Sequence, residues 1–387
     1  MIVYALDWLD LVMRWIHFVA GVAWIGTSLY FVWLDDSLTP PMKPAAADGV
    51  AGELWSVHGG GFYHNQKYPT GPTNEPLPRD LHWFKWEAYT TWLSGMAMLV
   101  IVYWIGADAY LIDKNVLALE PAQAIGISLG SIVAGYLVYD GLCRALEKQP
   151  WALGIAVFAF LVFAAWALAH VFGARAAYMH VGAILGTIMV ANVAHVIIPG
   201  QRKMLAEIRA GRKPDPRPGI LGKTRSMHNT YFTLPVLFIM ISGHYPMTYS
   251  GPYGWLVLGA IGLAGVLVRR FFILTHQQRY VVALPVAALA LLSVAALAIA
   301  PRAPAPAAAT SFAHVAPIVA RRCAVCHQGA AAPNGVRLDT PAHIQGNASR
   351  IEQQAVATHA MPLGNATGMT DGERALLGAW IASGAKL

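Results

Sequence analysis

Charge is what this sequence has least of. Only 12% of its 387 residues are Asp, Glu, Lys or Arg, about half the roughly 25% of an average soluble domain. A chain with so few charges cannot cover a soluble globule, and its apolar content excludes the disordered classes, which are polar. Cysteine is scarce as well: three residues cannot build a disulfide framework. There is no Gly-X-Y period, no Rossmann fingerprint and no phosphate-loop glycine pattern. Collagen-like folds and the usual nicotinamide, FAD and nucleotide sites are excluded with them. The basic excess, a net charge of +7, is scattered between apolar runs instead of gathered into a patch, so nucleic acid is not an expected partner.

What is abundant is apolar sequence, 56% of the chain with a mean hydropathy of +0.48. Eight runs of about twenty apolar residues, the length that crosses a bilayer, fall near 9–34, 83–105, 122–142, 151–172, 176–198, 228–246, 252–273 and 280–300. The basic residues alternate between the connections. Lys43, Lys67 and Arg79 follow the first run, Arg144 and Lys148 the third, a group including Arg202, Lys203, Lys223 and Arg225 the fifth, and Arg269, Arg270 and Arg279 the seventh. The even connections hold only Lys114 and Arg175. The positive-inside rule then places the odd loops in the cytoplasm and both termini in the periplasm. The first ten residues lack the basic start of a cleavable signal peptide, consistent with an outside N-terminus. Tryptophans near the run ends, such as Trp8, Trp15, Trp83, Trp104 and Trp151, are expected to anchor at the membrane interface. Gly126 with Gly130 and Gly182 with Gly186 have the spacing that lets helix backbones approach.

Residues 301–310 form a Pro/Ala spacer, and residues 311–387 change character. They hold Cys323-Ala-Val-Cys326-His327, the c-type haem attachment pattern. Two thiols at that spacing add to the two vinyl groups of one haem, and His327 follows as proximal ligand to the iron. Met361 is the expected sixth ligand, with Met369, His343 and His359 as rivals, and a methionine ligand raises the potential of an electron acceptor. A structural zinc site would need a second ligand pair that the tail lacks. Thr370 with Glu373 reads as a capping box opening a terminal helix, and a short helix over 312–321 is expected to pack on it, as in a small class I cytochrome c. Because haem is attached in the periplasm, the motif agrees with the loop charges on topology. Ala298-Ile-Ala300 also resembles a signal-peptidase site. The predicted fold is therefore all-α: an eight-helix transmembrane bundle over 1–300, the linker, and a cytochrome c domain over 311–387.

Ionisable groups inside a bilayer are costly and usually functional. On the predicted topology His17, His170, His180 and His244 fall toward the periplasmic side and His195, His228 and His276 toward the cytoplasmic side. Two imidazoles of the first group would suit a haem b; the alternative is that they are buried histidines bonded to backbone carbonyls. Asp140 and Asn192 are further polar groups in the spans, and Cys143 reads as a small buried residue. The connection from 35 to 82 is long and aromatic. Its Gly59-Gly60-Gly61 predicts a hairpin, with His58, His64, Lys67, Arg79, His82, Lys85 and Glu87 as polar groups for a flat ligand.

Four segments together, Trp15-Ile-His-Phe-Val-Ala-Gly-Val-Ala-Trp-Ile-Gly26, Val57-His-Gly-Gly-Gly-Phe-Tyr63, His82-Trp-Phe-Lys-Trp-Glu87 and His195-Val-Ile-Ile-Pro-Gly-Gln-Arg-Lys203, followed by a haem c tail, resemble the bacterial membrane-bound urate hydroxylases. The resemblance spans essentially the whole chain. It implies oxidation of urate to 5-hydroxyisourate in purine breakdown, with electrons passing to the covalent haem c and on to a respiratory cytochrome or terminal oxidase instead of dioxygen. A flat anion needs stacking rings and cationic or N-H donors, which Phe62, Tyr63, Lys67 and Arg79 offer, and His58, His64 or Glu87 are candidates to take the proton. A quinol-oxidising cytochrome, or a transporter or assembly component with a haem tether, are the other readings. The first would fail to respond to urate, and the second predicts no substrate-driven haem reduction.

Overall fold

The computed structural model describes residues 2–42, 48–73, 75–300, 310–330 and 332–387. Lys43 of the first basic loop and residues 301–309 of the spacer lie outside the described residues. Among the described residues five helical stretches are long and apolar enough to cross a membrane: Tyr4–Ser37, Pro121–Ala145, Pro150–Ala169, Ala174–Arg209 and Gly254–His276. They correspond to α1 (Ile2–Ser37), α4 (Pro121–Ala145), α5 (Pro150–Ala169), α6 (Ala174–Ala191) running through a π turn at 192–197 into α7 (Ile198–Arg209), and α9 (Gly254–His276).

The other three expected spans form helices with reasons to fall short. Between 83 and 105 the chain makes α2 (Trp86–Met98) and then slips into a π turn over 99–104, followed by the short α3 (Ala107–Tyr110). The expected run at 228–246 is the second half of α8 (Arg217–Ser242), whose first half carries Arg217, Lys223 and Arg225. The last, α10 (Ala283–Ala298), has 16 residues, about 24 Å of helix against a hydrocarbon core of about 30 Å.

The centre of the helical body is α6, whose apolar window is 56% buried against 11–28% for the other four. It packs on α2, α4, α5 and α8. Close approach happens at two glycines: a Cβ on Gly135 would lie 2.6 Å from Ile184 and one on Gly182 2.7 Å from Ile239. The small-residue expectation is thus right for Gly182 and wrong for Gly126, Gly130 and Gly186, which face open space. The tryptophan expectation splits likewise. Trp15 and Trp151 are exposed, whereas Trp104 turns inward to donate to Ser128 Oγ at 2.9 Å because its indole N-H finds a buried acceptor there.

The predicted hairpin forms from β1 (Gly52–His58) and β2 (Gly61–Lys67), paired antiparallel with His58 opposite Gly61. Its two-residue turn holds Gly59 and Gly60, both at positive φ, the backbone that glycine adopts without steric cost. The hairpin stands at the end of the body where α1 finishes and α2 begins, called here the hairpin end.

Beyond the spacer, α11 (Phe312–Arg322), α12 (Pro341–Gly346), α13 (Ala348–Ile351) and α14 (Asp371–Ala382) share a separate core that includes Val315, Leu377 and Trp380. The capping box forms as expected, with Glu373 N–H donating to Thr370 Oγ1 at 3.2 Å and Thr370 N–H to the Glu373 carboxylate at 2.8 Å. This unit meets the far end of the body, where Asn115 donates to the Met369 carbonyl at 3.4 Å.

Candidate functional site

A cavity of about 530 Å³ opens at the hairpin end. The last turns of α1 supply Trp24, Phe31 and Asp35; β2 supplies Asn65, Gln66 and Lys67; the segment before α2 supplies His82, Trp83 and Phe84. The π turn and α7 add Val193, Ile197 and Gln201, and α8 adds Lys223, Ser226 and Asn229. The volume suits a small heterocycle, and its walls combine aromatic faces with a few polar groups, the usual make-up of a ligand pocket. The π turn matters here, since the extra residue in one turn shifts which side chains face the cavity.

The wall holds two lysines and two acids, of which Asp36 accepts from Gln277 at 3.1 Å and keeps its other carboxylate oxygen buried without a partner. Asp35 is held between Lys67 and Lys223, the latter at 2.5 Å. Asn229 is a rigid part of the wall, because its amide donates to the Met189 carbonyl at 3.0 Å and its oxygen accepts from Asn192 at 2.9 Å. Asn192, 1% exposed, also donates to Tyr139 Oη at 3.0 Å, which lies 2.8 Å from His228 Nδ1. Gln201, by contrast, makes no side-chain hydrogen bond among the described residues and presents a free amide to the cavity.

Of the polar groups expected to form one site, the structure brings only Lys67 and His82 to the cavity. His58 is exposed at the hairpin turn. His64 lies along the hairpin, 3.0 Å from Glu53 and stacked on Trp55 with centroids 4.3 Å apart. The hydrogen bond from Met42 N–H to Glu53 holds that carboxyl below its ordinary range, with help from Gln66 and His64 and against the cost of burial. Glu87 sits in the first turn of α2 with one carboxylate oxygen buried and unpartnered, outside the cavity lining. Phe62 and Tyr63 point to solvent, 78% and 53% exposed. Neighbouring residues of a strand point to opposite faces, so both faces of β2 are open to solvent at this point. Arg79 and Lys85 line a second, shallower basin of about 550 Å³ with Arg202 and Arg209.

Sequence reasoning missed Gln201, Lys223, Ser226 and Asn229. Lys223 was legible only as one of many basic loop residues, and nothing in the spacing of the others marks them.

The four histidines expected to offer a haem b ligand pair differ in how far their ring nitrogens are committed. His180 is fully buried with both ring nitrogens engaged, Nδ1 with the Ala176 carbonyl at 2.7 Å and Nε2 with Ser128 Oγ at 2.6 Å. His170 is exposed and bonds within its own turn to the Trp166 carbonyl at 2.8 Å. His244 is exposed. His17 uses Nδ1 on the Thr91 carbonyl at 2.8 Å, so that among the described residues His17, His170 and His244 each keep Nε2 without a hydrogen bond. No ring contact joins any two of them among the described residues. With both ring nitrogens engaged, His180 has none left for a haem b iron.

In the tail, Cys323 and Cys326 are free thiols, and burial pushes the Cys323 thiol up to about 11. His327 Nδ1 lies 2.9 Å from the Val336 carbonyl, which sets the tautomer and leaves Nε2 as the nitrogen able to bind a metal. Met361 and Cys323 flank the same core, while Met369 is buried inside it at 1% exposure. His343 is tied to Asp339 at 2.7 Å. Among the described residues no cluster of three or more His, Cys, Asp or Glu could hold a metal ion.

Long apolar helices around a small aromatic-walled cavity define a class, that of helical proteins compatible with a membrane that bind a small ligand between helices. The chain belongs to the urate oxidase N-terminal family, whose model matches residues 3–300. Comparison with curated proteins and with solved structures gave no match. Membership supports an oxidoreductase with urate as its substrate class.

Proposed function

We propose that the protein is an integral-membrane urate hydroxylase with a periplasmic cytochrome c tail, and that urate binds in the cavity at the hairpin end. The observation that carries the reading is the family match over 3–300, the same residues that enclose a cavity of suitable size and lining. Eight membrane passes, with α2, α8 and α10 completing the five longer helices, put the hairpin end in the cytoplasm by the loop charges and the tail outside.

The reaction balances as urate monoanion plus water giving 5-hydroxyisourate, one proton and two electrons. Trp83, Phe84 and Phe31 supply faces for stacking. Gln201 donates to the ring carbonyls, and Lys67 and Lys223 stand as cationic donors whose charge is balanced by Asp35 and Asp36 in the same wall. His82 stands in the wall as acceptor for the proton. Within the tail the residues fit a haem c: Cys323 and Cys326 would carry the thioethers, His327 the proximal Nε2 and Met361 the sixth ligand. When bound there, the group supplies one-electron acceptance, so each urate requires two transfers, and a respiratory cytochrome or oxidase takes the electrons onward.

The cavity and the tail sit at opposite ends of the stretch Trp86–Trp104, whose 19 residues span about 28 Å. One tunnelling step over that length is too slow for turnover, so the electrons need a stop between. The test is an anaerobic visible spectrum of the air-oxidised, detergent-solubilised protein before and after urate, with dithionite last. Reduced c-type bands on adding urate are expected. A further b-type band would identify that stop, and reduction by dithionite alone would remove urate in favour of quinol as donor.

A further inference from the structure

We infer that the shallow basin beside the cavity is an anion vestibule through which a small anionic substrate reaches it; this rests on the urate reading only for the identity of the anion. The basin gathers Arg79, Lys85, Arg202 and Arg209 around a single acid, Asp80. None of the four cations is in an ion pair among the described residues. Arg209 is oriented by donating to the Arg79 carbonyl at 2.8 Å, and Lys85 lies over the Trp86 ring at 5.5 Å, so neither is neutralised.

The basin and the cavity share two walls. Along the segment 81–85, Leu81 and Lys85 face the basin, His82 and Phe84 face the cavity, and Trp83 lines both. Along α7, Ile198 and Gln201 line the cavity, while Arg202, Leu205, Ala206 and Arg209, the next two turns outward, line the basin. A solute leaving the basin inward therefore meets Trp83 first and Gln201 next. Positive charge concentrated in a concave surface raises the local concentration of anions and their rate of arrival, by about 10-fold or more at low ionic strength. The cavity itself has its lysines paired with Asp35, so the unpaired attraction lies outside it. Loop charges that only set topology need no such convergence; here two come from the hairpin connection and two from one face of α7.

The test uses Arg79→Gln with Arg202→Gln in the full chain. First, Trp83 quenching is isolated as the difference between each protein and its Trp83→Phe counterpart, with iodide as anionic probe and acrylamide as neutral one. The paired Gln variant is expected to lower iodide quenching at least about twofold and leave acrylamide unchanged; equal iodide quenching overturns the vestibule. Second, the second-order rate of haem reduction by urate is followed from 20 mM to 1 M salt. The variant should be about tenfold slower at low salt and converge with the unsubstituted protein at high salt, where charges are screened within about 3 Å, with kcat unchanged. A variant whose rate and salt slope match the unsubstituted protein overturns the route even if iodide collects there. If iodide quenching falls as expected but urate never reduces the haem, the urate reading fails and the anion vestibule stands. Slowing that appears only in vesicles rich in phosphatidylglycerol, and not in detergent, would assign the basin to lipid headgroups and overturn the inference.

Discussion

Asp140 on α4 accepts a hydrogen bond from Arg225 on α8 at 2.8 Å, and both side chains are mostly buried, at 14% and 11% exposure. Arg225 also lies 5.2 Å from the Tyr139 ring and reaches Asn192 Oδ1 at 3.4 Å. The pair thus ties α4 and α8 across the π turn that shapes the cavity wall. Asp140 also accepts from Arg144 at 2.7 Å, so removing the Arg225 guanidinium leaves its carboxylate with that more exposed partner alone, whereas removing both charges leaves nothing to compensate. Arg225→Ala should lower stability by about 2 kcal/mol, the worth of a hydrogen bond to a charged group, and Asp140→Ala with Arg225→Leu should cost less than the sum of its parts. Thermal unfolding of the solubilised single and double variants tests this, and strict additivity would refute the coupling.

The glycine contacts make a sharper packing prediction. Adding a methyl at Gly182 brings it 2.7 Å from Ile239, so Gly182→Ala should destabilise by about 1–3 kcal/mol. Gly126→Ala, with nothing within 4 Å, should be neutral or slightly stabilising, since alanine is the better helix former. The two melting curves, compared side by side, check the registry of α6 on α8.

At the cavity, Gln201→Leu removes an amide that makes no side-chain hydrogen bond among the described residues. Its loss should raise KM for urate about fivefold, the worth of a hydrogen bond of about 1 kcal/mol, with dithionite still reducing the haem fully. An unchanged KM would take Gln201 out of the site.

In the tail, His327→Ala or Cys326→Ala should abolish a stable c-type spectrum. Met361→Ala should leave the haem attached, lower its potential and delete the methionine-to-iron absorption band. If Met369→Ala does that instead, the sixth ligand is reassigned.

The hairpin carries a pH dependence. The Glu53 carboxyl is held below its ordinary value in the fold, so its contribution is complete above the unfolded value of about 4.3 and fades as pH falls through that value toward the lower folded one. Limited proteolysis between Asp35 and His82 should therefore accelerate below about pH 4, and Glu53→Gln should cleave faster at neutral pH and lose this pH response. A profile for Glu53→Gln that parallels the unsubstituted protein would show that the carboxylate does not hold the hairpin.

Several features were legible because they are local. The Gly59-Gly60 turn, the Thr370–Glu373 capping box and the Cys323-to-His327 spacing each depend on residues within a few positions, and so do the apolar runs. The number of long apolar helices was less legible, because a π turn at 99–104 and a charged first half of α8 are decided by packing and not by the mean hydropathy of a window. The cavity was hardly legible at all. Its wall draws on five separated segments, and only Lys67 and His82 had been marked for it. His180 shows the reverse error: the sequence flags a histidine in an apolar run but cannot show that Ser128 and the Ala176 carbonyl already satisfy both nitrogens.

By itself, then, the sequence determined the composition of the phases: which stretches avoid water, where the chain turns, and which tail residues have thiol and imidazole chemistry at haem spacing. Only the tertiary structure decided which polar groups are free and which are spent. Hydropathy is a sum over neighbours along the chain, while hydrogen bonds and ion pairs such as Lys223 with Asp35 join residues that meet only after the helices have packed.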